Sequence, residues 1–370
     1  MIYCMKKRLL ILLIGIFVVV AACKKDDNKP DDNKSFIVGG DFSILRKMES
    51  AGGKYYWQGE ENVGYEIFRA NGYNYARFRL FNQPNMEGAV CNDLEYTIAS
   101  AKQAKSFGFK ILLDFHYSDT WADPAHQEKP CVWQTVTMPA LADSVSAYTT
   151  YVLQRMNQAG VLPDMVQVGN EITNGMLWPE GKIYKDDGSE GWDSFITLLK
   201  AGIKAVKEMQ ERTIPVMVHI DQGANKEKTA YFFNHLVNQY HVKFDVIGLS
   251  YYPWWHGTLA ELRDNLEFIS QTYSQDIIIV ETAYYANGFY PEPGESVLGY
   301  QPFPPTEQGQ YDFLVALRKT VNGLEEVKGI FYWQPDGLNL PASDVHYLGR
   351  SLFSPEGEAL TGISVFKEEI

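Results

Sequence analysis

From Phe36 onward the chain alternates between two patterns of apolar residues. Short runs rich in β-branched and aromatic side chains occupy 36–44 (FIVGGDFSI), 73–80 (YNYARFRL), 110–117 (KILLDFHY), 164–171 (DMVQVGNE), 215–221 (PVMVHID), 244–251 (FDVIGLSY), 277–284 (IIIVETAY) and 329–335 (GIFYWQP). Between them apolar residues recur at helical spacing near 60–71, 92–108, 139–159, 191–211, 225–240, 258–273 and 306–322, with a short closing segment. Near-continuous apolar strands separated by amphipathic helices predict a parallel sheet covered on both sides. Eight such units predict an α/β fold, a single (β/α)8 TIM barrel over 36–370. A doubly wound open sheet is the competing arrangement. Against it, no G-x-G-x-x-G turn opens the first helix, and polar or aromatic residues close nearly every strand.

The strand ends carry the chemistry. In a barrel they open on one bowl, so residues far apart in sequence converge there. The candidates are Arg79 on the second run, Asp114 and His116 on the third, Asn170 and Glu171 on the fourth, Tyr251 on the sixth, Glu281 on the seventh and Trp333 on the eighth. Singly, each has a structural explanation as a helix cap, a salt-bridge partner or a satisfied core residue. Two glutamates, an arginine, a histidine and an asparagine at one mouth are costly to desolvate unless they serve a ligand. A pair of carboxyl groups facing a sugar cleft is the working part of glycoside hydrolysis, with one attacking the anomeric carbon and the other protonating the departing oxygen. The roles need different ionisation states, which a protonated Glu171 beside an ionised Glu281 supplies, with Arg79 favouring the charged nucleophile. Asn170 is placed to meet the sugar 2-hydroxyl, Tyr251 to orient Glu281, and Trp333 to form the floor under the reacting sugar.

Composition narrows the setting. With 45% hydrophobic and 21% charged residues among 370, the chain is globular. Its net charge of −13 disfavours a phosphate backbone, so nucleic acid is not expected as a partner. Aromatic residues make up 14%, including eight Trp and 23 Tyr, which suits both a large core and a cleft whose rings stack on sugars.

The first 22 residues read as a leader: Lys6, Lys7 and Arg8, then an apolar stretch, then small residues before Cys23. The stretch is shorter than the roughly 20 residues a membrane-spanning helix needs. Val20-Ala21-Ala22-Cys23 resembles the lipobox of bacterial lipoproteins, which implies cleavage before Cys23 and acylation of its thiol. Losing the leader's three cations takes the net charge from −13 to −16. Residues 23–35 are polar and charged and read as a flexible acidic tether. An exported lipoprotein on the outer membrane, at the cell surface, is the expectation. Cys91 and Cys131 then remain in an oxidising compartment and either pair or stay separate.

The longest motifs carry a resemblance. They are Gly39-Gly40-Asp41-Phe42-Ser43, Asn74-Tyr75-Ala76-Arg77-Phe78-Arg79-Leu80 and Leu113-Asp114-Phe115-His116-Tyr117-Ser118-Asp119 with Trp121-Ala122-Asp123-Pro124 and Gln127. Val168-Gly169-Asn170-Glu171-Ile172 follows with Gly175-Met176-Leu177-Trp178-Pro179, then Gly248-Leu249-Ser250-Tyr251-Tyr252-Pro253 with Trp255-His256-Gly257, Val280-Glu281-Thr282-Ala283-Tyr284 and Tyr332-Trp333. From end to end these resemble the endo-β-1,4-galactanases, also called arabinogalactan endo-β-1,4-galactosidases, retaining glycosidases on a (β/α)8 barrel.

The resemblance implies Glu171 as acid/base and Glu281 as nucleophile, with Arg79, His116, Asn170, Tyr251 and Trp333 around the central subsite and Asp119, Trp121, Trp178 and Trp255 as further sugar contacts; Asp114, from its strand-end position, is a further substrate-binding candidate. It implies β-1,4-galactan, a side-chain polymer of pectin, as the substrate, cut internally; a monomer is the separate expectation. Catalysis needs no metal or organic cofactor on this reading. Departures are Gly40-Asp41-Phe42 in the first strand and Gln334 after the eighth, where the family usually has a glutamate. The segment 334–354 is short beside members that hold calcium there, so a structural calcium is not expected. No H-x-H pair ends the first strand, which argues against a metal-dependent barrel hydrolase. Two alternatives remain: a cell-surface glycan-binding protein without activity, and a mannanase- or cellulase-type hydrolase on the same fold.

Overall fold

In the computed structural model residues 36–288 and 299–367 are described; the leader and the tether with Cys23 lie outside the described residues. The strands are β1 (Ile37–Asp41), β2 (Tyr55–Trp57), β3 (Glu60–Asn62), β4 (Tyr75–Leu80), β5 (Lys110–Phe115), β6 (Met165–Val168), β7 (Val216–Ile220), β8 (Val246–Ser250), β9 (Asp276–Thr282) and β10 (Val327–Tyr332). β1 and β4 to β10 pair in parallel, each with its neighbour, and β10 pairs with β1 to close an eight-stranded barrel. Each of the eight apolar runs coincides with one barrel strand, β9 and β10 starting one and two residues earlier than their runs.

Alternation along the strands sorts the interior into layers. At the lower level Tyr75, Leu112, Met165, Met217, Val246, Ile278, Val280 and Phe331 pack into their own apolar cluster. Gly39 makes room for it, since a Cβ there would stand 2.1 Å from the ring of Phe331. Two residues further along β4, β5, β6 and β7 the inward positions turn polar: Arg77, Asp114, Gln167 and His219 are all fully buried. The outward positions join the helices in a larger apolar cluster. The barrel is thus dry below and polar just beneath its mouth.

Four of the outer helices begin where a short polar side chain caps them. Asp93 accepts from Tyr96 at the start of Leu94–Ser106, Asn225 from Lys228 at the start of Lys226–Phe233, and Thr306 from Gly309 at the start of Glu307–Val321. Thr258 and Glu261 form a reciprocal capping box on Leu259–Thr272.

The stretch 60–71, expected to be helical, is helical only over Gly64–Ala70. Gln58 and Gly59 have φ of 56° and 81°, a two-residue turn that pairs Trp57 with Glu60 in a hairpin and delays the helix. Cys91 and Cys131 are both free, the first buried and the second exposed.

Candidate active site

A cavity of about 1170 Å³ opens at the carboxyl ends of the strands. Glu171 and Glu281, 110 positions apart in sequence, both line it. Backbone irregularity aims each of them. The β8–β9 register shifts between Leu249–Ile279 and Ser250–Glu281, a bulge that sends Glu281 inward directly after the inward Val280. Simple alternation would turn it outward. Glu171 follows β6 in the left-handed region, φ 48° and ψ 50°, an uncommon conformation for a residue with a Cβ.

Their surroundings differ. Glu281 Oε1 is 2.7 Å from Arg77 Nη1, and its Oε2 accepts a 3.0 Å hydrogen bond from the Tyr252 phenol. Arg77 is in turn held by Asp41 at 3.1 Å, Asp114 at 2.8 Å and Asn170 Oδ1 at 2.9 Å. Glu171 Oε1 accepts a 2.6 Å hydrogen bond from Ser250 and has no cation against it among the described contacts. Burial pushes the Glu171 carboxyl well above the ordinary carboxylate range, with Glu281 and Asp221 adding to the shift and Ser250 opposing it. Burial raises Glu281 as well, but Arg77 acts most strongly against it and the Tyr252 hydrogen bond assists. Of the two, Glu171 is the carboxyl with no cation among the described residues to offset the burial of its charged form.

The other expected residues divide into two groups. Arg79, His116, Trp121, Asn170, Trp255 and Trp333 line the cavity. The Arg79 guanidinium lies 4.5 Å from the Trp121 ring centre and its Nη1 is 3.5 Å from Asp41. The Trp121 and Trp333 ring centres are 6.3 Å apart. His116 Nδ1 accepts from the Ala122 backbone at 2.9 Å, which leaves Nε2 to carry its hydrogen beside Asp114, 3.1 Å away. Trp255 is about half exposed at the rim.

Asp114, Asp119, Trp178 and Tyr251 do not reach the cavity. Asp114 is fully buried, and its carboxylate holds Arg77 and Gln167 inside the barrel. Both Asp119 oxygens are used on backbone, accepting from Gln83 and Cys131 at 2.8 Å each, which fixes two loops. The Trp178 indole N–H donates to Asn174 at 2.9 Å, and Lys182 lies over the ring. Tyr251 points outward by strand parity, stacks on Phe313 and donates to the Gly257 carbonyl.

Two expected roles pass to neighbours. Tyr252 bonds Glu281 in place of Tyr251, and Arg77 is the cation on the nucleophile position in place of Arg79. Both lie inside recognised motifs, and alternation from the inward Ser250 would have selected Tyr252. For the arginines, parity is the same and depth decides. Ser250, though inside a quoted motif, and His219 were given no role; His219 carried a signal, as an ionisable residue within an apolar run.

The sequence profile described as Glycosyl hydrolase family 53 matches residues 37–366. The chain is 36% identical over 309 residues to an arabinogalactan endo-β-1,4-galactanase of Cellvibrio japonicus, covering 81% of this chain and 80% of that one. It is 33% identical over 341 residues to arabinogalactan endo-β-1,4-galactanase A of Aspergillus niger, covering 89% and 94%. Among solved structures, the GH53 catalytic domain of Ignisphaera aggregans superposes with a TM-score of 0.81 at 34% identity, covering 91% of this chain and 97% of that one.

Proposed function

This chain belongs to glycosyl hydrolase family 53, and on that premise we propose that it is a retaining endo-β-1,4-galactanase. One observation supports the division of labour: Glu281 is held by Arg77 and Tyr252, while Glu171, in the same cavity, meets a single hydroxyl. Ionised Glu281 attacks the anomeric carbon as Glu171 gives its proton to the departing glycosidic oxygen. Ester formation removes the charge on Glu281, which lowers the proton affinity of Glu171. The newly formed Glu171 carboxylate then takes a proton from the water that releases the sugar. Trp121 and Trp333 offer faces for the apolar side of a pyranose. Asn170 Nδ2 donates one hydrogen to Ala122 at 2.8 Å and keeps the other for a sugar hydroxyl.

The test is digestion of linear β-1,4-galactan. Release of galacto-oligosaccharides with retained anomeric configuration, abolished by Glu281→Ala, is expected. Faster cleavage of mannan or cellulose overturns the substrate; inversion overturns the mechanism. Binding without cleavage by the unsubstituted protein leaves the glycan-binding reading.

The leader and Cys23 support a further part of the proposal, attachment to the outer membrane at the cell surface by a lipid on Cys23. Labelled palmitate entering the protein, and failing to enter Cys23→Ala, is the expected result.

A further inference from the structure

Glu171 is gripped at two points by one imidazole. His219, fully buried on β7, has Nδ1 3.4 Å from the backbone nitrogen of Glu171 and Nε2 2.9 Å from Ser250 Oγ, which is itself 2.6 Å from Glu171 Oε1. A backbone N–H only donates, so Nδ1 is the bare, accepting nitrogen and Nε2 carries the imidazole hydrogen. The Gln167 amide nitrogen, 3.0 Å from Nδ1, is a second donor to the same atom. Asn170 Oδ1 also lies 3.0 Å from Nδ1, but it already accepts from Arg77 at 2.9 Å and needs no hydrogen from the ring. The Nε2–H then donates to Ser250 Oγ, occupying a lone pair and turning the single hydroxyl hydrogen toward Glu171.

We infer that His219 and Ser250 are positioning residues that hold Oε1 of Glu171 as a hydrogen-bond acceptor and so assign its transferable proton to Oε2. The inference rests on the acid/base reading of Glu171. In the first half-reaction the Oε2–H bond breaks and a new O–H bond forms on the departing sugar; in the second, Oε2 takes a proton from the attacking water. His219 keeps one hydrogen throughout. Burial, then Arg77, His116 and His256, hold it well below its ordinary pKa, so it stays neutral. Glu171 faces three groups that oppose its ionisation: Glu281 on β9, Asp221 after β7 and Asp123 in the loop after β5. The Ser250 hydroxyl acts the other way and favours the carboxylate.

The test compares pH profiles of kcat/KM for Ser250→Ala, His219→Leu and His219→Gln on galactan and on a nitrophenyl β-galactobioside, whose leaving group needs little acid assistance. A general acid is active while protonated, and loss of the hydroxyl lets Glu171 keep its proton to higher pH. Ser250→Ala is expected to move the alkaline limb upward by about one pH unit and to lower galactan turnover about tenfold. The loss on the nitrophenyl substrate is expected to be much smaller. His219→Leu should behave likewise, and His219→Gln, which retains an N–H donor, should recover most of the activity. Equal losses on both substrates with an unmoved alkaline limb, or wild-type behaviour of Ser250→Ala and His219→Leu, overturn the inference. So does a nitrogen-15 shift showing hydrogen on His219 Nδ1. Glu171→Ala is run alongside: if it shows no leaving-group dependence, the acid/base reading itself fails, whereas dependence there without the Ser250→Ala shift sinks this inference alone.

Discussion

Arg77 Nη1 stands 2.7 Å from Glu281 Oε1, both of them buried, with Asp41 on the same nitrogen at 3.1 Å and Asp114 on Nη2 at 2.8 Å. Three carboxylates around one cation fix the fork, and the charge it lends to Glu281 depends on that geometry. Arg77→Lys keeps the charge but not the fork. Its kcat on galactan is expected to fall about 100-fold with little change in KM, since the contact is made to the reacting group and not to the substrate. Steady-state kinetics decide it; an unchanged kcat would remove Arg77 from the catalytic machinery.

Removing the acid separates substrates by leaving group. Glu171→Ala is expected to lose roughly 10²–10⁴-fold on galactan and far less on a nitrophenyl galactoside, with azide restoring turnover of the trapped intermediate. A uniform loss on both substrates would withdraw the assignment.

The nucleophile must be ionised, so the acid side of the pH profile reports Glu281. The Tyr252 phenol favours the charged form, and its loss raises the carboxyl's proton affinity further. Tyr252→Phe is expected to shift the acid limb upward by about one pH unit and to lower kcat about tenfold. A shift toward lower pH would contradict the hydrogen bond's direction.

Asp336 concerns stability. It is fully buried, and its carboxylate oxygens accept no hydrogen bond from another described residue. Burial, with Asp41 adding and Arg79 opposing, lifts it well above the ordinary range. An acid raised in the folded state binds its proton more tightly there than when unfolded. Its contribution is therefore present at low pH and is lost as pH rises from the unfolded pKa of about 4 through the folded value. Asp336→Asn removes that dependence. Its melting temperature is expected to exceed the parent's by roughly 3 °C at pH 8 and to converge on it below about pH 4. A constant difference across pH would refute the linkage.

Much of this was legible along the chain because the fold rests on local repetition. The eight apolar runs match the eight barrel strands, since a strand buried on both faces must be apolar along its length. The convergence of Glu171 and Glu281 follows from the barrel alone, as strand ends share one mouth whatever their separation in sequence.

What stayed hidden were distinctions between neighbours. Arg77 and Arg79 point to the same interior and differ by one layer of depth. Tyr251 and Tyr252 differ by one step of parity, and the bulge in β9 breaks parity just where Glu281 sits. Asp119 and Trp178 belong to the recognised motifs yet serve loop backbone and not the cleft.

The sequence by itself determined the architecture, the two candidate carboxyl groups and the class of chemistry they suit, because periodicity and residue type are local properties. The tertiary structure decided which arginine, which tyrosine and which hydroxyl touch those carboxyl groups. Such contacts depend on register shifts and layer depth across strands distant in sequence, and a difference of one residue or a few ångströms there reassigns a hydrogen bond and with it a proton.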